Sequence, residues 1–165
     1  PRYKYTHYLE GYEKADAISS ASVLGIRETR RILGEYVLSV ADYEKHAVFS
    51  DEIGRYCYPI DLHAVTPFAA KTAFDEAYQK GYGKGNSYGI PYRCLLPQNT
   101  DNLLVAGRCI STTREMNGST RVMPCCFITG MAAGAAGALA GKGSLRKLPA
   151  DTLRNALREQ GAYLP

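Results

Sequence analysis

The 165-residue sequence predicts an α/β fold, which would be described as α+β if the chain is a fragment of a larger one. Three runs support this prediction. NLLVAG, at 102–107, is a short continuous apolar run typical of a strand buried on both faces. After a polar loop, residues 122–140 form a long apolar run with the length of a buried helix. Residues 150–160 then carry their leucines on one side of an amphipathic helix.

The elements before these runs are shorter, and each has a local signal. A glycine ends the helix predicted over 6–24, alternating β-branched and aromatic residues mark the strand predicted over 26–39, and a Thr-Pro pair opens the helix predicted over 66–80. The elements predicted in this order are a helix over 6–24, a strand over 26–39, a short helix opened by the capping-box pattern at 39–42, a strand over 54–60, and a helix over 66–80.

Charge is mild and evenly distributed. The chain has 20 Lys and Arg against 16 Asp and Glu, a net charge of +4, and the two signs alternate along it. A nucleic-acid surface usually clusters its basic residues. We therefore expect no nucleic-acid partner.

The five cysteines are odd in number, and no two of them form a CxxC pair. Structural metal sites and disulfide frameworks usually show regular cysteine spacing. We predict reduced thiols, most of them buried, and no metal site.

The apolar run contains a repeated glycine. Gly130, Gly134, Gly137 and Gly141 are spaced to share one helix face, and this predicts a close approach of another element or a ligand. A transmembrane span is the alternative, because 122–140 is long and uncharged and glycine at this spacing favours helix association in membranes. Pro124 and the low hydrophobicity of alanine and glycine argue against a membrane.

The start of this helix is fixed by Pro124, which fits only in a first turn and places the beginning near Thr120–Met123. The free N–H groups and the positive dipole end would lie just after GSTRVM. Such a helix end attracts an anion or a group on which negative charge develops.

Several blocks in order resemble the FAD-dependent oxidoreductases, the flavoproteins with two dinucleotide-binding domains. These blocks are GIRETRRILGEYVL, PIDLH, IPYRCLLP, NLLVAGRCIS, NGSTRVMPCCFITGMAAGAAGALA and LRNALREQGAYL. The resemblance implies the C-terminal part of an FAD/NAD(P)-binding flavoprotein fold. Residues 1–96 would complete the inserted substrate (cap) domain, and residues 97–165 would return to the FAD-binding domain.

The resemblance also implies the cofactor, FAD, and its contacts. Gly107 and Arg108 would lie near the ribityl chain and the pyrophosphate, and the helix start would lie against the flavin ring. Many relatives have an acid where this sequence has Arg108, which cannot accept the ribityl hydrogen bond. The implied cofactor-binding residues are Gly107, Arg108, Gly118, Ser119, Arg121, Val122 and Met123.

Two residues are candidates for catalysis. His63, in PIDLH, titrates in the range useful for proton transfer, although a lone histidine is also compatible with a structural role. Arg27 could present a guanidinium to an anionic substrate, or form an ordinary ion pair with a glutamate.

For Arg121, the alternative to a flavin contact is a surface pair with Glu115. Cys125 and Cys126 could have a lowered thiol pKa at the helix start, or could pack in the core.

The phosphate-binding GxGxxG of the family has no match in the right context, since GYGKGNSYG neither follows a strand nor opens a helix. We therefore expect the C-terminal portion of a longer enzyme that acts on a small organic substrate, with the N-terminal remainder of its own chain as partner. A non-catalytic module that keeps the fold without a cofactor is the alternative. Self-association stays open, and a cytoplasmic location and no membrane contact are expected.

Overall fold

A computed structural model describes residues 6–16, 18–62 and 85–165 of the chain. Helices surround a small sheet in these residues, in agreement with the predicted α/β class. The elements, in chain order, are helix α1 (Val40–Glu44), strands β1 (Glu52–Tyr56) and β2 (Tyr88–Pro91), and helices α2 (Arg114–Thr120), α3 (Met123–Ala140) and α4 (Ala150–Glu159). Three 3₁₀ turns lie between them, at Tyr92–Leu95, Gly107–Cys109 and Leu145–Lys147.

The sheet has two antiparallel strands among the described residues. Gly54 pairs with Ile90 and Tyr56 with Tyr88, and a bulge interrupts the register between Glu52 and Gly54. The predicted strand at 54–60 is thus present but begins two residues earlier and ends at Tyr56. Residues 57–62 continue as irregular chain.

The predicted strand at 26–39 is wrong as a regular strand. Gly34 and Leu38 form isolated bridges to Pro97 and Thr112. Backbone bonds from Ile32 N to Cys109 O and from Leu38 N to Ser111 O hold the segment in place. The chain is extended, as its composition predicts, but it contacts two different segments and forms no continuous ladder.

The predicted buried strand at 102–107 is also wrong. Residues 103–106 have no strand assignment, and Leu103 is exposed. The N–H of Val105 donates to Leu95 O. A buried strand needs a ladder partner on each side, and the described residues place no strand beside this one.

The helix predicted over 6–24 is much shorter in the structure. Only residues 6–8 of the described part are helical, and Gly11 has a φ of +86°, which a helix cannot contain. Residues 18–26 are irregular and exposed, so the mixed helical spacing of the sequence did not bury a face. The predicted helix at 66–80 lies outside the described residues.

Part of the predicted polar loop before the apolar run is wrong, because residues 114–120 form helix α2, which Thr113 caps by accepting a hydrogen bond from the Met116 N–H. The predictions of α1, α3 and α4 are confirmed. Ser39 caps α1 through the capping box with Asp42, whose carboxylate also accepts a hydrogen bond from Tyr36. Pro124 lies in the first turn of α3, which begins at Met123 with Val122 as its N-cap. The C-terminal helix α4 buries Leu153 and Leu157, as its amphipathic pattern predicts.

One core connects these elements. Helix α3 packs on β1, where Ile128 lies over Gly54, and α4 packs against both. The largest fully buried apolar side chains are Tyr88, Leu38, Ile53, Ile60, Ile90, Leu95, Leu96, Ile110, Met116, Leu153 and Leu157. These residues come from both sides of position 96, and the domain boundary placed there from the sequence stays a prediction.

The glycine face of α3 differs from the prediction of a close contact. Gly141, which was also expected on this face, is instead the C-cap of α3, with a φ of +53°. At Gly130, Gly134 and Gly137 an added Cβ would meet no described atom within 4 Å. The face opposite them, with Cys125 and Ala132, enters the core. The stripe therefore makes no close contact within the described part of the chain.

Helix α3 is also the one helix among the described residues that is long and apolar enough to cross a membrane, judged by length and composition alone. A helix that packs in the core of a soluble protein meets the same criterion, so this finding is weak support for a membrane span.

Candidate functional site

A pocket at the start of α3 collects most of the residues that the sequence singled out. Its volume is about 170 Å³. Its lining residues are Arg27, Tyr58, Asp61, Arg108, Arg121, Val122 and Met123. We call it the arginine pocket, because three arginines and one aspartate line it.

Arg121 is the most buried of the three arginines, with 8% of its surface exposed. Its Nη1 donates to Glu28 Oε2 at 2.9 Å, and its Nη2 donates to the carbonyl of Asp61 at 2.6 Å. The alternative of a surface pair with Glu115 is therefore wrong. Glu28, which also accepts from Arg31, is the acidic partner of Arg121.

Arg108 lies at the rim of the pocket and is exposed. Its Nε donates to the carbonyl of Arg121 at 3.1 Å and its Nη1 to the carbonyl of Ile26 at 3.2 Å. The Arg108 carbonyl in turn accepts from the side-chain amide of Asn117 at 3.1 Å. The first two bonds hold the guanidinium between the segments that carry the other two arginines, and the third holds the Arg108 backbone.

Ser119 and Gly118 lie behind the pocket and do not line it. The Ser119 hydroxyl is buried, donates to the carbonyl of Tyr58 at 2.5 Å and lies 2.7 Å from the Tyr88 hydroxyl. A Cβ on Gly118 would lie 3.0 Å from the Asp61 carbonyl. Both residues contact the 58–61 segment and fix its position. Their assignment to cofactor binding stays a prediction.

Gly107 also lies outside the pocket lining. Its φ is +74°, a region that favours glycine, and its N–H donates to Thr129 Oγ1 on α3 at 2.9 Å. Gly107 thereby fixes the turn that carries Arg108 against the first turns of α3. A cofactor contact of its own stays a prediction.

The beginning of α3 forms one wall of the pocket. Val122 is the N-cap with extended backbone, and Met123, the first helical residue, is 62% exposed. The helix is 18 residues long, so the partial positive charge of its N-terminus acts on the pocket beside the guanidinium groups. An apolar surface and a positive surface thus meet at one place.

Tyr58 and Asp61 were missed by the sequence reasoning. Asp61 belongs to PIDLH, the segment in which His63 was selected, and the signal was available there because an acid beside a histidine is a common pair in proton-transfer sites. His63 itself lies outside the described residues. Tyr58 had no distinguishing signal among the 13 tyrosines of the chain.

Of the two cysteines near the helix start, Cys125 is a core residue and Cys126 is half-buried. Burial raises the pKa of the Cys125 thiol well above its ordinary value, and burial also raises the pKa of Cys126, an effect that the nearby Arg108 guanidinium opposes. The alternative of thiols with a lowered pKa is therefore wrong. All five cysteines are free, as predicted, but the prediction that most are buried is wrong, because Cys94 and Cys125 are buried, Cys126 is half-buried, and Cys57 and Cys109 are exposed.

A second cavity lies further along α3, with a volume of about 220 Å³. It is lined mainly by apolar side chains, among them Ile53, Phe127, Ile128 and Met131. A site for a polar ligand needs a few convergent polar groups. In this cavity Arg55 is the one charged residue in the lining, and its guanidinium is bound to Ser87 and Glu52.

Comparison with known proteins gives one result. The family model described as FAD dependent oxidoreductase matches residues 3–157 of the chain. No curated protein and no solved structure gives a significant match.

Proposed function

Since the chain belongs to the FAD-dependent oxidoreductase family, we propose that it is the C-terminal part of such an enzyme and supplies one side of its FAD site. The observation that carries this proposal is the arginine pocket. Arg27, Arg108, Arg121, Val122 and Met123, which are far apart in sequence and were selected from the sequence, line a single pocket at a helix N-terminus.

The chemistry of the pocket fits one portion of FAD. Guanidinium groups and a helix N-terminus suit a phosphate or an electron-rich ring edge, and the exposed Met123 suits the flat apolar face of a ring. The volume of about 170 Å³ is below the range of about 300–1,000 Å³ usual for whole ligand sites. The described residues therefore supply part of the FAD site, in keeping with the lack of a GxGxxG loop in this sequence.

When bound, FAD supplies the electron transfer, and the protein supplies binding, orientation and electrostatics. Arg121 contributes through position: it connects Glu28 to the Asp61 carbonyl and so fixes two walls of the pocket. Arg27 would bind a small organic substrate at this pocket. His63, two residues after Asp61, would exchange a proton with that substrate.

The exposed face of α3 supports a partner for the chain. Met123 and Phe127 are 62% and 69% exposed, and Gly130, Gly134 and Gly137 continue along the same face. Exposed apolar side chains next to a surface without side chains suit a closely packed partner. We assign this face to the N-terminal remainder of the same chain. Three further points stay expectations: self-association, the absence of nucleic-acid and membrane contacts, and a cytoplasmic location.

A substitution at Gly134 tests this assignment. In the 165-residue protein, Gly134→Leu should raise the free energy of unfolding by up to about 1 kcal/mol, because leucine favours a helix over glycine and has free space here. In the complete gene product the same change should lower stability, because the leucine would enter the packed interface. Urea unfolding of both proteins, with and without the substitution, measures whether the free energy of unfolding rises or falls in each.

Gly54→Ala is the matched control for this test. Its Cβ would lie 2.5 Å from Ile128 Cγ2, so it should destabilise both proteins. If Gly134→Leu stabilises the complete gene product as well, the glycine face has no partner there.

FAD occupancy tests the proposed function itself. The complete gene product should purify with stoichiometric FAD, whereas the 165-residue chain should stay colourless after FAD is added. Met123→Asp in the complete gene product should reduce FAD occupancy, because it places a carboxylate where the ring or its phosphates would bind. Lys142→Asp, a charge change at the exposed far end of α3, is the control. A complete gene product without FAD would favour the non-catalytic module.

A further inference from the structure

Two free cysteines lie where the turn at Gly107–Cys109 packs on helix α3. We propose that Cys109 and Cys126 are a redox-active pair: a low-molecular-weight disulfide, such as glutathione disulfide, modifies Cys109, and Cys126 then closes a disulfide within the protein. Neither residue lines the arginine pocket, and the reaction of the pair does not depend on FAD binding.

The packing of the turn brings the two cysteines to one place. A Cβ on Gly107 would lie 3.8 Å from Cys126 Sγ, so Cys126 lies directly against the turn. Cys109 ends the same 3₁₀ turn, which advances only about 2 Å per residue. A hydrogen bond of 2.9 Å from the Gly107 N–H to Thr129 Oγ1 anchors the turn on α3. A disulfide needs Cα atoms about 4.4–6.8 Å apart, a separation that a small movement of this turn would give.

The surroundings of the two thiols give them different roles. Cys109 is exposed, so a disulfide in solution can reach its sulfur. Cys126 is half-buried, and burial raises the pKa of its thiol, an effect that the Arg108 guanidinium opposes and the Cys109 charge increases. Conversion of Cys109 to a mixed disulfide removes that charge, so Cys126 becomes a thiolate more readily after Cys109 has reacted. Cys109 is therefore the thiol that reacts first, and Cys126 is the thiol that reacts second.

Both steps are thiol–disulfide exchanges. The Cys109 thiolate attacks one sulfur of glutathione disulfide, forms a mixed disulfide and releases one glutathione. The Cys126 thiolate then attacks the Cys109 sulfur, and the second glutathione leaves. Two protein thiols lose two electrons in total, glutathione disulfide gains the same two, and both thiol protons end on glutathione.

The disulfide would change contacts beside the arginine pocket. Cys126 Sγ lies 3.9 Å from the Arg121 carbonyl, which also accepts a hydrogen bond from Arg108 Nε. Arg108 is the middle residue of the turn that carries Cys109. Oxidation would move the Cys126 sulfur away from this carbonyl and join the turn covalently to α3. The position of Arg108 would thus depend on the redox state of the pair, and any effect of this on FAD rests on the proposed function.

The experiment maps the disulfides of the 165-residue protein, without flavin, after incubation with glutathione disulfide and alkylation of the remaining thiols. Trypsin cuts after arginine and lysine, which places Cys109 and Cys126 in separate peptides, 109–114 and 122–142. We expect mass spectrometry to show these two peptides joined, and reduction to separate them. Cys57, which is exposed on another segment, should instead keep its glutathione.

Two variants separate the neighbouring thiols of α3. With Cys126→Ser, Cys109 should keep its glutathione and no joined peptide should form. With Cys125→Ser, the joined peptide should still form, because Cys125 is buried in the core. Circular dichroism verifies the fold of each variant. Fragmentation of the joined peptide between Cys125 and Cys126 identifies the linked sulfur in the unaltered protein, so the result does not depend on the folding of either variant.

The same incubation in urea tests whether the fold brings the pair together, since an unfolded chain should link its five cysteines without this preference. The proposal is overturned if Cys109 stays unmodified, if Cys109 and Cys126 each keep a glutathione, or if the link is made through Cys125. Because no flavin is present, any of these results leaves the proposed function unchanged, and a failure of FAD binding in the complete gene product leaves the disulfide map unchanged.

Discussion

Replacing Glu52 with alanine should lower the free energy of unfolding by about 3–5 kcal/mol, because it leaves buried positive charge without its partner. The Glu52 side chain is 1% exposed, and its Oε2 lies 3.0 Å from Arg55 Nη1. Its other oxygen lies 4.0 Å from Arg154 Nη1. The Arg55 and Arg154 side chains are only 10% and 12% exposed, so water cannot replace the lost carboxylate well. Urea unfolding followed by circular dichroism measures the change.

Asp101→Ala is the matched control for Glu52. Asp101 also pairs with an arginine, Arg146, at 3.1 Å, but its side chain is 91% exposed. Exposed pairs typically contribute less than about 1 kcal/mol. If Glu52→Ala and Asp101→Ala lower the free energy of unfolding equally, the burial of the Glu52 ion pairs adds nothing to stability, and this prediction is wrong.

The second large effect is expected at Gly34. A Cβ on this residue would lie 2.7 Å from Ser111 Cβ and 3.1 Å from the Arg93 carbonyl, and the Gly34 N–H donates to Ser111 Oγ at 2.9 Å. Gly34→Val would force these segments apart and should cost about 1–3 kcal/mol, typical of overpacking. A thermal scan should show a clear fall in the unfolding midpoint.

Gly25→Val is the control for Gly34, because an added Cβ there meets no described atom within 4 Å. It should leave the midpoint nearly unchanged. A Gly34→Val protein as stable as the Gly25→Val protein would mean that the bridge between Gly34 and Pro97 tolerates a side chain, contrary to the packing in the structure.

Local signals in the sequence predicted α1, α3 and α4, but not α2 or the short extent of the first helix. Pro124 placed the start of α3, the Ser39–Asp42 pattern placed α1, and the leucine spacing of 150–160 placed α4. Each of these signals acts within a few residues, through a cap, a fixed φ or a single helix face. The resemblance to the family also came from the sequence alone, and the family match over residues 3–157 confirmed it.

The strands were predicted less well for a physical reason. An extended segment becomes a strand only when a second segment completes its ladder, and a partner distant in sequence supplies that ladder. Residues 26–39 have the right composition but meet Pro97 at one point and Thr112 at another. Residues 102–107 have no strand beside them among the described residues, so an apolar run gave no regular strand.

The glycine face illustrates the same limit. Sequence spacing correctly placed Gly130, Gly134 and Gly137 on one side of a helix, because helical periodicity is local. Which side of α3 packs on β1 depends on the match between Ile128 and Gly54, which lie in elements far apart in the chain. The glycines consequently face away from the described core.

The sequence by itself therefore determined the family, the positions of α1, α3 and α4, and the candidate residues Arg27, Arg108, Arg121, Val122 and Met123. Only the tertiary structure decided that these residues share a pocket with Asp61, and that Arg121 pairs with Glu28, 93 positions away, and not with Glu115, six positions away. The reason is that a buried guanidinium must bind whichever acceptors the packed segments place beside it. Sequence distance carries little information about those acceptors once the chain is folded.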